Sequence, residues 1–485
     1  MGRTRQSIMR KFSKAQPKAE IIHEDKIFNG FPWLLALVLY SLSWGWSLLR
    51  PNSLFWDDWV YIFNQPKGYL NQIFNDTGLP PWRAIVDQEL LAVGYWTIPW
   101  LTFAMYFAAG AFLWEILKKT NLLTIKQVEF VVFIFLIAPV NHARIALVMF
   151  GYSTSYFLFF MSWMLLIRFR SKAMFAATIF CFFLSFMTHS FLFFFIFPVA
   201  HYIFLYRDNL REYSKNKIIF SKIIILLMLP IFYLWLRYLL WRPTEEYKNY
   251  HKVSIAGAQL GLKVIVVGLT LSFAFVLITR KSLKQHASTI VFLLGSVLFT
   301  FGLFPYFANS NFPDVISVFA LRNDWGSRHL LLTPLGISLV TCGTWLLIPS
   351  QLRKLFFTIA VAIFSLINVF SGSQYFLDSL KKDQLTELFA TSNDINPRTT
   401  MLFIDETKIF NGRGSTYRTT ELSGLMLLSG RKSTAITGKS SCNDLPNGTQ
   451  FVLKSDKNFI SALKSRDLGL YFEVSPCSDL LTTSP

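Results

Sequence analysis

Long apolar blocks separated by short basic stretches constrain this chain more than any other feature. Phe31 to Leu49, Val128 to Pro139 and Ile145 to Ile167 are examples. Blocks of about 20 residues match the hydrocarbon thickness of a bilayer. The composition agrees: 53% of the 485 residues are hydrophobic and only 15% are charged, against about 25% in an average soluble chain. The 50 Phe and 14 Trp suit a lipid-facing surface with interfacial belts. The formal charge of +19 would suggest nucleic acid in a soluble protein. Here the basic residues sit in short loops, where they set orientation, so nucleic acid is not expected as a partner. The first apolar run lacks a small-residue cleavage site close behind it and is expected to stay as a helix.

The positive-inside bias then orders the chain. Residues 1–30 carry Arg3, Arg5, Arg10, Lys11, Lys14, Lys18 and Lys26 and are expected in the cytoplasm. Residues 31–370 read as a membrane core. Its first helix, near 31–49, leads to an outer loop over 50–89 that contains short amphipathic stretches lying along the interface. Helices follow near 91–117, 127–140 and 145–167, then two split at Thr188-His189-Ser190. The rest lie near 218–240, between Gln259 and Arg280, near 287–304, before Arg353, and near 355–370. The inner loops of this scheme are short and basic. The outer ones are longer, with more Asp, Trp and Pro. About eleven crossings result, an odd number, which puts residues 371–485 outside the cytosol.

That tail changes composition. Ser371-Gly372-Ser373 is expected to punctuate the end of the membrane part. Thr400 to Ile404, Gln450 to Leu453 and Gly469 to Val474 read as strands, and Asn458 to Lys464 as a short helix. The fold class is therefore an all-α polytopic membrane protein with a small extracytoplasmic α/β domain at its C-terminus. Cys181 and Cys342 lie in apolar runs as packing residues. Cys442 and Cys477 lie in the tail, where an oxidising compartment would favour a disulfide between them; two free thiols are the alternative. Asn447-Gly448-Thr449 fits the glycosylation sequon, and also fits a plain turn.

The residues that could carry chemistry gather at the expected outer face. Asp57 and Asp58, between Trp56 and Trp59, stand at a surface of low polarity that raises a carboxylate's basicity. Alternatively, one of them caps the helical run after Trp59. Arg322, Asp324, Arg328 and His329 form a second group before the tenth helix. Arginine offers forked donors that match phosphate oxygens, and histidine adds another; a local ion pair to Asp324 is the plainer reading. His142 and Arg144 at the end of the third helix, and His189 at the next outer turn, complete the set. No Walker segment, H-E-x-x-H zinc motif or G-x-S-x-G elbow is present. Ionisable residues cluster at one face rather than at mid-bilayer, where a secondary transporter would place its site.

With Asp57-Asp58-Trp59-Val60-Tyr61 opening the first outer loop, the chain resembles the GT-C superfamily of membrane glycosyltransferases. Members carry an Asp-Asp or Asp-Glu motif, often followed three residues later by an aromatic. They use polyprenyl-phosphate-linked sugars. The resemblance implies that Asp57 acts as general base on the acceptor, with Asp58 assisting or positioning it. It implies that Arg322, Arg328 and His329 hold the lipid phosphate, with Arg144, His142 and His189 as further substrate contacts.

The expected activity is transfer of a sugar from a polyprenyl-phosphate donor to a hydroxyl of a glycan or glycolipid acceptor. It would take place at the outer face of a bacterial inner membrane. No cofactor is assigned by this chemistry, and its metal dependence is open. Asp57 and Asp58 could hold a divalent cation, although two adjacent acids alone make a poor site. A lipid-linked glycan polymerase or ligase and a glycolipid flippase are the alternatives.

Overall fold

The computed structural model describes residues 27–62, 68–120, 122–207, 217–248, 253–279, 286–309, 325–395, 400–411, 417–431, 435–437 and 448–476. The basic N-terminal segment before Ile27, Arg322, Asp324, Asn447, Cys442 and Cys477 lie outside these residues, and so does the expected disulfide. Helices α1 (Trp33–Trp44), α2 (Trp59–Ile62), α3 (Tyr69–Asp76) and α4 (Pro81–Val93) come first. They are followed by α5 (Thr97–Lys118), α6 (Ile125–Ile137), α7 (Phe150–Arg168), α8 (Lys172–Ser185), α9 (Ser190–Phe194) and α10 (Ile196–Leu205). Next are α11 (Lys217–Leu240), α12 (Ile255–Thr279), α13 (His286–Ala308), α14 (Pro334–Leu347) and α15 (Arg353–Thr391).

Among the described residues, six helical segments are long and apolar enough to cross a membrane: Thr97–Lys118, Leu147–Arg168, Lys217–Leu240, Ile255–Leu277, Ser288–Ala308 and Ser350–Thr391. The other expected crossings are shorter apolar helices, Trp33–Leu48, Lys172–Ser185, Ser190–Leu205 and Pro334–Leu347, together with α6. Local chemistry explains the short lengths. α6 ends two residues before Pro139, and α14 is bounded by Pro334 at its start and Pro349 just beyond its end. α11 and α12 leave Ile224, Leu227, Ile231, Leu234, Val266, Val267 and Leu271 exposed. Helices that are apolar all round need a non-aqueous solvent, and this marks the chain as a membrane protein. The buried side is unusually aromatic, with Trp44, Trp114, Tyr156, Phe159, Phe182 and Phe191 in one core cluster.

Two expectations are corrected. The helix expected from about 91 begins at Thr97, because Gly94 adopts φ 146°, a conformation open to glycine, and separates α4 from α5. The expected break at Ser371-Gly372-Ser373 does not occur: α15 runs through it for 39 residues. The small residues serve packing instead. Gly372 lies so close to Trp46 that an added Cβ would run into the indole.

Beyond α15 the chain forms a four-stranded sheet in the order β2-β1-β3-β4. Its strands are β1 (Thr400–Asp405), β2 (Ala435–Thr437), β3 (Thr449–Ser455) and β4 (Leu470–Pro476). β1 pairs in parallel with β2 and β3, and β3 pairs antiparallel with β4. α16 (Thr419–Leu428) and α17 (Phe459–Ser465) complete this C-terminal unit. Strands β1, β3 and β4 and helix α17 lie where the alternation pattern places them.

The unit is fastened to the extension of α15 by a buried ammonium. Lys381 Nζ donates to Asp405 Oδ2 at 2.6 Å, to Asn411 Oδ1 at 2.6 Å and to the Thr407 carbonyl at 3.2 Å. Both charged side chains are fully buried. Asp405 also accepts from the Thr407 N–H and hydroxyl and from Asn411 Nδ2. Removing one member of such a pair strands the other, at a cost of about 3–5 kcal/mol. Lys381→Met is therefore expected to loosen the sheet from α15 while the helices stay inserted. Limited proteolysis of purified membranes checks this: the variant should release a C-terminal fragment at protease levels that leave wild type intact. Equal protection would refute the anchoring role.

Candidate functional site

The segment Leu54 to Trp59 is the pivot of the sheet-bearing end. Trp56 is 3% exposed and has φ 48°, a left-handed backbone that a bulky side chain adopts only when its surroundings enforce it. Asp58 provides much of that enforcement. Its Oδ2 accepts the Phe55 N–H at 2.9 Å, and its Oδ1 accepts the Val148 N–H at 2.9 Å. Rather than capping the run after Trp59, Asp58 reaches back to the start of its own 3₁₀ turn at Phe55 and ties that turn to Val148, just ahead of α7. Burial pushes its carboxyl up to about 7, against the opposing pull of the Val148, Leu147 and Phe55 N–H groups and the Lys382 charge.

Asp57 faces the other way. Its carboxylate is half-exposed and its Oδ1 lies 2.8 Å from Nη2 of Arg418, the residue at the start of α16. α16 lies directly against α2: a Cβ at Gly424 would run into the Trp59 ring. Next to this contact is a small pocket lined by Phe55, Trp56, Asp378, Lys382, Asn411, Tyr417 and Glu421. Lys382 donates to the Leu54 carbonyl at 2.7 Å and to Asp378 at 3.0 Å, and lies 4.1 Å from the centre of the Phe55 ring. Tyr417 donates to Asp378 at 3.3 Å.

Two further turns meet the Trp56 turn. Residues His142–Ile145 and Trp325–Leu330 are 3₁₀ segments joined by the Ala143 N–H, which donates to Ser327 Oγ at 2.9 Å. The Trp56 and Trp325 rings are 5.2 Å apart, and Tyr375 of α15 packs edge-on against Trp56 at 5.7 Å. The Arg328 guanidinium lies 4.2 Å over Trp325 and donates to the Trp325 carbonyl at 2.9 Å. Asp57, Asp58 and Arg328 are thereby carried on turns that pack together.

The remaining expected site residues are held differently. His329 packs on Tyr306 at 5.1 Å, and burial, then the neighbouring Arg328 charge, lower its imidazole to about 3. It is neutral at ordinary pH and can offer a hydrogen bond but no charge. His142 is 1% exposed, donates from Nε2 to Asn368 Oδ1 at 3.1 Å, and packs on Trp44. Arg144 sits in an aromatic box, 3.1 Å over Trp44 and 4.6 Å over Tyr106. His189, between α8 and α9, lies 6.3 Å from Tyr233 of α11.

A divalent cation does not fit this arrangement. Both Asp58 oxygens accept backbone N–H groups, and Asp57 is paired with a guanidinium. Among the described residues no three His, Cys, Asp or Glu side chains converge as a metal site requires.

Sequence reasoning missed Asp378, Lys382, Tyr417, Arg418 and Glu421. Asp378 and Lys382 are spaced i, i+4, a signal of one helical face, but the expected break at 371–373 hid it. Comparison with family models, with curated proteins and with solved structures returns no match to this chain.

The buried Asp58 has a consequence for pH. Its folded form keeps a proton up to about pH 7, whereas an open chain releases it near about 3.9. Between these values the folded state holds the extra proton, so stability is highest at the acid end. It falls as pH rises through the window and levels above it. Melting of detergent-solubilised protein at pH 5 and pH 8 should show this decline in wild type and lose it in Asp58→Asn. Identical slopes would remove Asp58 as the titrating group.

Proposed function

We propose that this protein is a membrane glycosyltransferase that moves a sugar from a polyprenyl-phosphate donor to a hydroxyl of an extracytoplasmic glycan or lipid acceptor. The reading extends the likeness to the GT-C superfamily, with Asp57 as general base. One observation carries it: of the two adjacent acids, Asp58 is buried and fully engaged with backbone while Asp57 stands half-exposed at the rim. A general base must reach its substrate and be held still, and this division of roles meets both needs.

In the proposed reaction Asp57 takes the proton of the acceptor hydroxyl. The hydroxyl oxygen attacks the anomeric carbon, and the bond from that carbon to the phosphate oxygen breaks with its electron pair. Negative charge grows on the departing lipid phosphate. Arg328, on the turn that packs against Trp56, is the described residue best suited to receive it, and neutral His329 can add an N–H. Arg322 belongs to the same expected loop, outside the described residues. Site and C-terminal unit would face the extracytoplasmic side.

The test compares surface glycans and lipid-linked intermediates, by mass spectrometry, in a deletion strain of the source cell complemented with wild type or Asp57→Asn. Asp57→Asn is expected to insert normally and to slow transfer about 10²–10⁴-fold, leaving glycans short of one sugar. Near-normal transfer at matched abundance would sink the role of Asp57. Unchanged composition with altered chain length, or with a relocated lipid-linked precursor, would favour a polymerase or a flippase instead.

A further inference from the structure

We propose that Arg418 is a positioning residue for Asp57, so that the C-terminal unit forms one wall of the reaction site; the proposal rests on the transferase reading. An exposed ion pair ordinarily contributes little to stability. This one stands out for how firmly both ends are mounted. On one side, Asp57 lies between Trp56, with φ 48°, and Asp58, pinned to two backbone N–H groups. On the other, the Arg418 N–H donates to Glu421 Oε2 at 2.8 Å, and Arg418 Nε lies 3.8 Å from the same oxygen. Glu421 is 2% exposed. Its buried carboxylate therefore fixes the Arg418 backbone and sets a negative charge beside the guanidinium.

The neighbouring Tyr417 reaches Asp378 on α15, and α16 is seated on Trp59 at Gly424. Guanidinium and carboxylate are thus presented to one another by two separately anchored turns. Arg418 Nη2 meets Asp57 at Oδ1, 2.8 Å away. A half-exposed carboxylate held by a firmly mounted guanidinium has its direction set, which is what a base needs toward an incoming hydroxyl. The floor beside it is Phe55 and Trp56, with Lys382 and Asn411 in the adjoining pocket. Both rings are buried, so the acceptor hydroxyl is assigned to the half-exposed side of Asp57 itself. The donor phosphate is assigned to the Arg328 side.

The experiment is a double-substitution cycle in the complemented strain. The rate of sugar incorporation into surface glycan is followed by pulse labelling and mass spectrometry at matched membrane abundance. Arg418→Gln should slow incorporation about 10- to 100-fold, the scale of a misplaced catalytic group, and Arg418→Lys should recover part of the loss. In an Asp57→Asn background, followed over long labelling, Arg418→Gln should cost nothing further, because the group it positions is gone. Protease resistance of the C-terminal unit is measured alongside. If Arg418→Gln is degraded, Arg418→Lys carries the same cycle.

A wild-type rate for Arg418→Gln, or an equal fold-loss in both backgrounds, overturns the proposal while leaving Asp57 as base. A wild-type rate for Asp57→Asn alone overturns the functional reading, and this role with it.

Discussion

One ammonium group joins the three parts on which the site depends. Lys382 of α15 donates to the Leu54 carbonyl of the first loop and to Asp378 on its own helix, and Asp378 accepts from Tyr417 of the C-terminal unit. Its charge lies over the Phe55 ring, at the base of the turn that carries Asp57. One residue back, Lys381 grips Asp405 at the end of β1. Two consecutive lysines on a helix point in directions about 100° apart, so one reaches the sheet while the other reaches the loop. A buried cation is tolerable only when its donors are satisfied. That requirement fixes loop, helix and sheet in a single relative arrangement.

The continuity of α15 follows from the same requirement. If the helix ended where Ser371-Gly372-Ser373 suggests, the two lysines would have no rigid stem, and the C-terminal unit would hang from a linker. Instead the helix passes out of its apolar section without a break. Small residues at 371–373 let it pack closely against Trp46, which stacks on Tyr375 at 5.6 Å. Tyr375 in turn supports Trp56. The chain of rings from Trp46 to Trp325 is therefore a direct consequence of small residues that, in sequence, look like a terminator.

How much of this was legible in the sequence depends on the range of the interaction. Apolar blocks are local and show their positions directly, although blocks bounded by Pro139, Pro334 and Pro349 gave helices shorter than a full crossing. Strand alternation in β1, β3 and β4 is local too, and it was readable. Asp57 and Asp58 could be picked out by their place after the first apolar run, but which acid turns inward could not. That is decided by Val148, 90 residues away, whose N–H needs an acceptor. Arg418 was invisible for the same reason. Nothing near it in sequence refers to Asp57, and its only local signal, Glu421 three residues on, reads as an ordinary helix start.

The division between the two acids also shows why adjacency by itself says little about chemistry. Asp57 and Asp58 share a 3₁₀ turn in which neighbouring side chains diverge by about 120°. One direction leads under the turn to unsatisfied backbone donors and the other leads out to a guanidinium. The inward acid is desolvated, raised toward neutrality and spent on holding Trp56 in a backbone conformation it would not choose. The outward acid keeps its contact with solvent and is met by the Arg418 guanidinium. Had the turn been relaxed, with Trp56 at negative φ, Asp57 would not stand where α16 can reach it. The strain at Trp56, the burial of Asp58 and the exposure of Asp57 are one geometric fact seen from three residues, and any chemistry at this end of the protein has to begin from it.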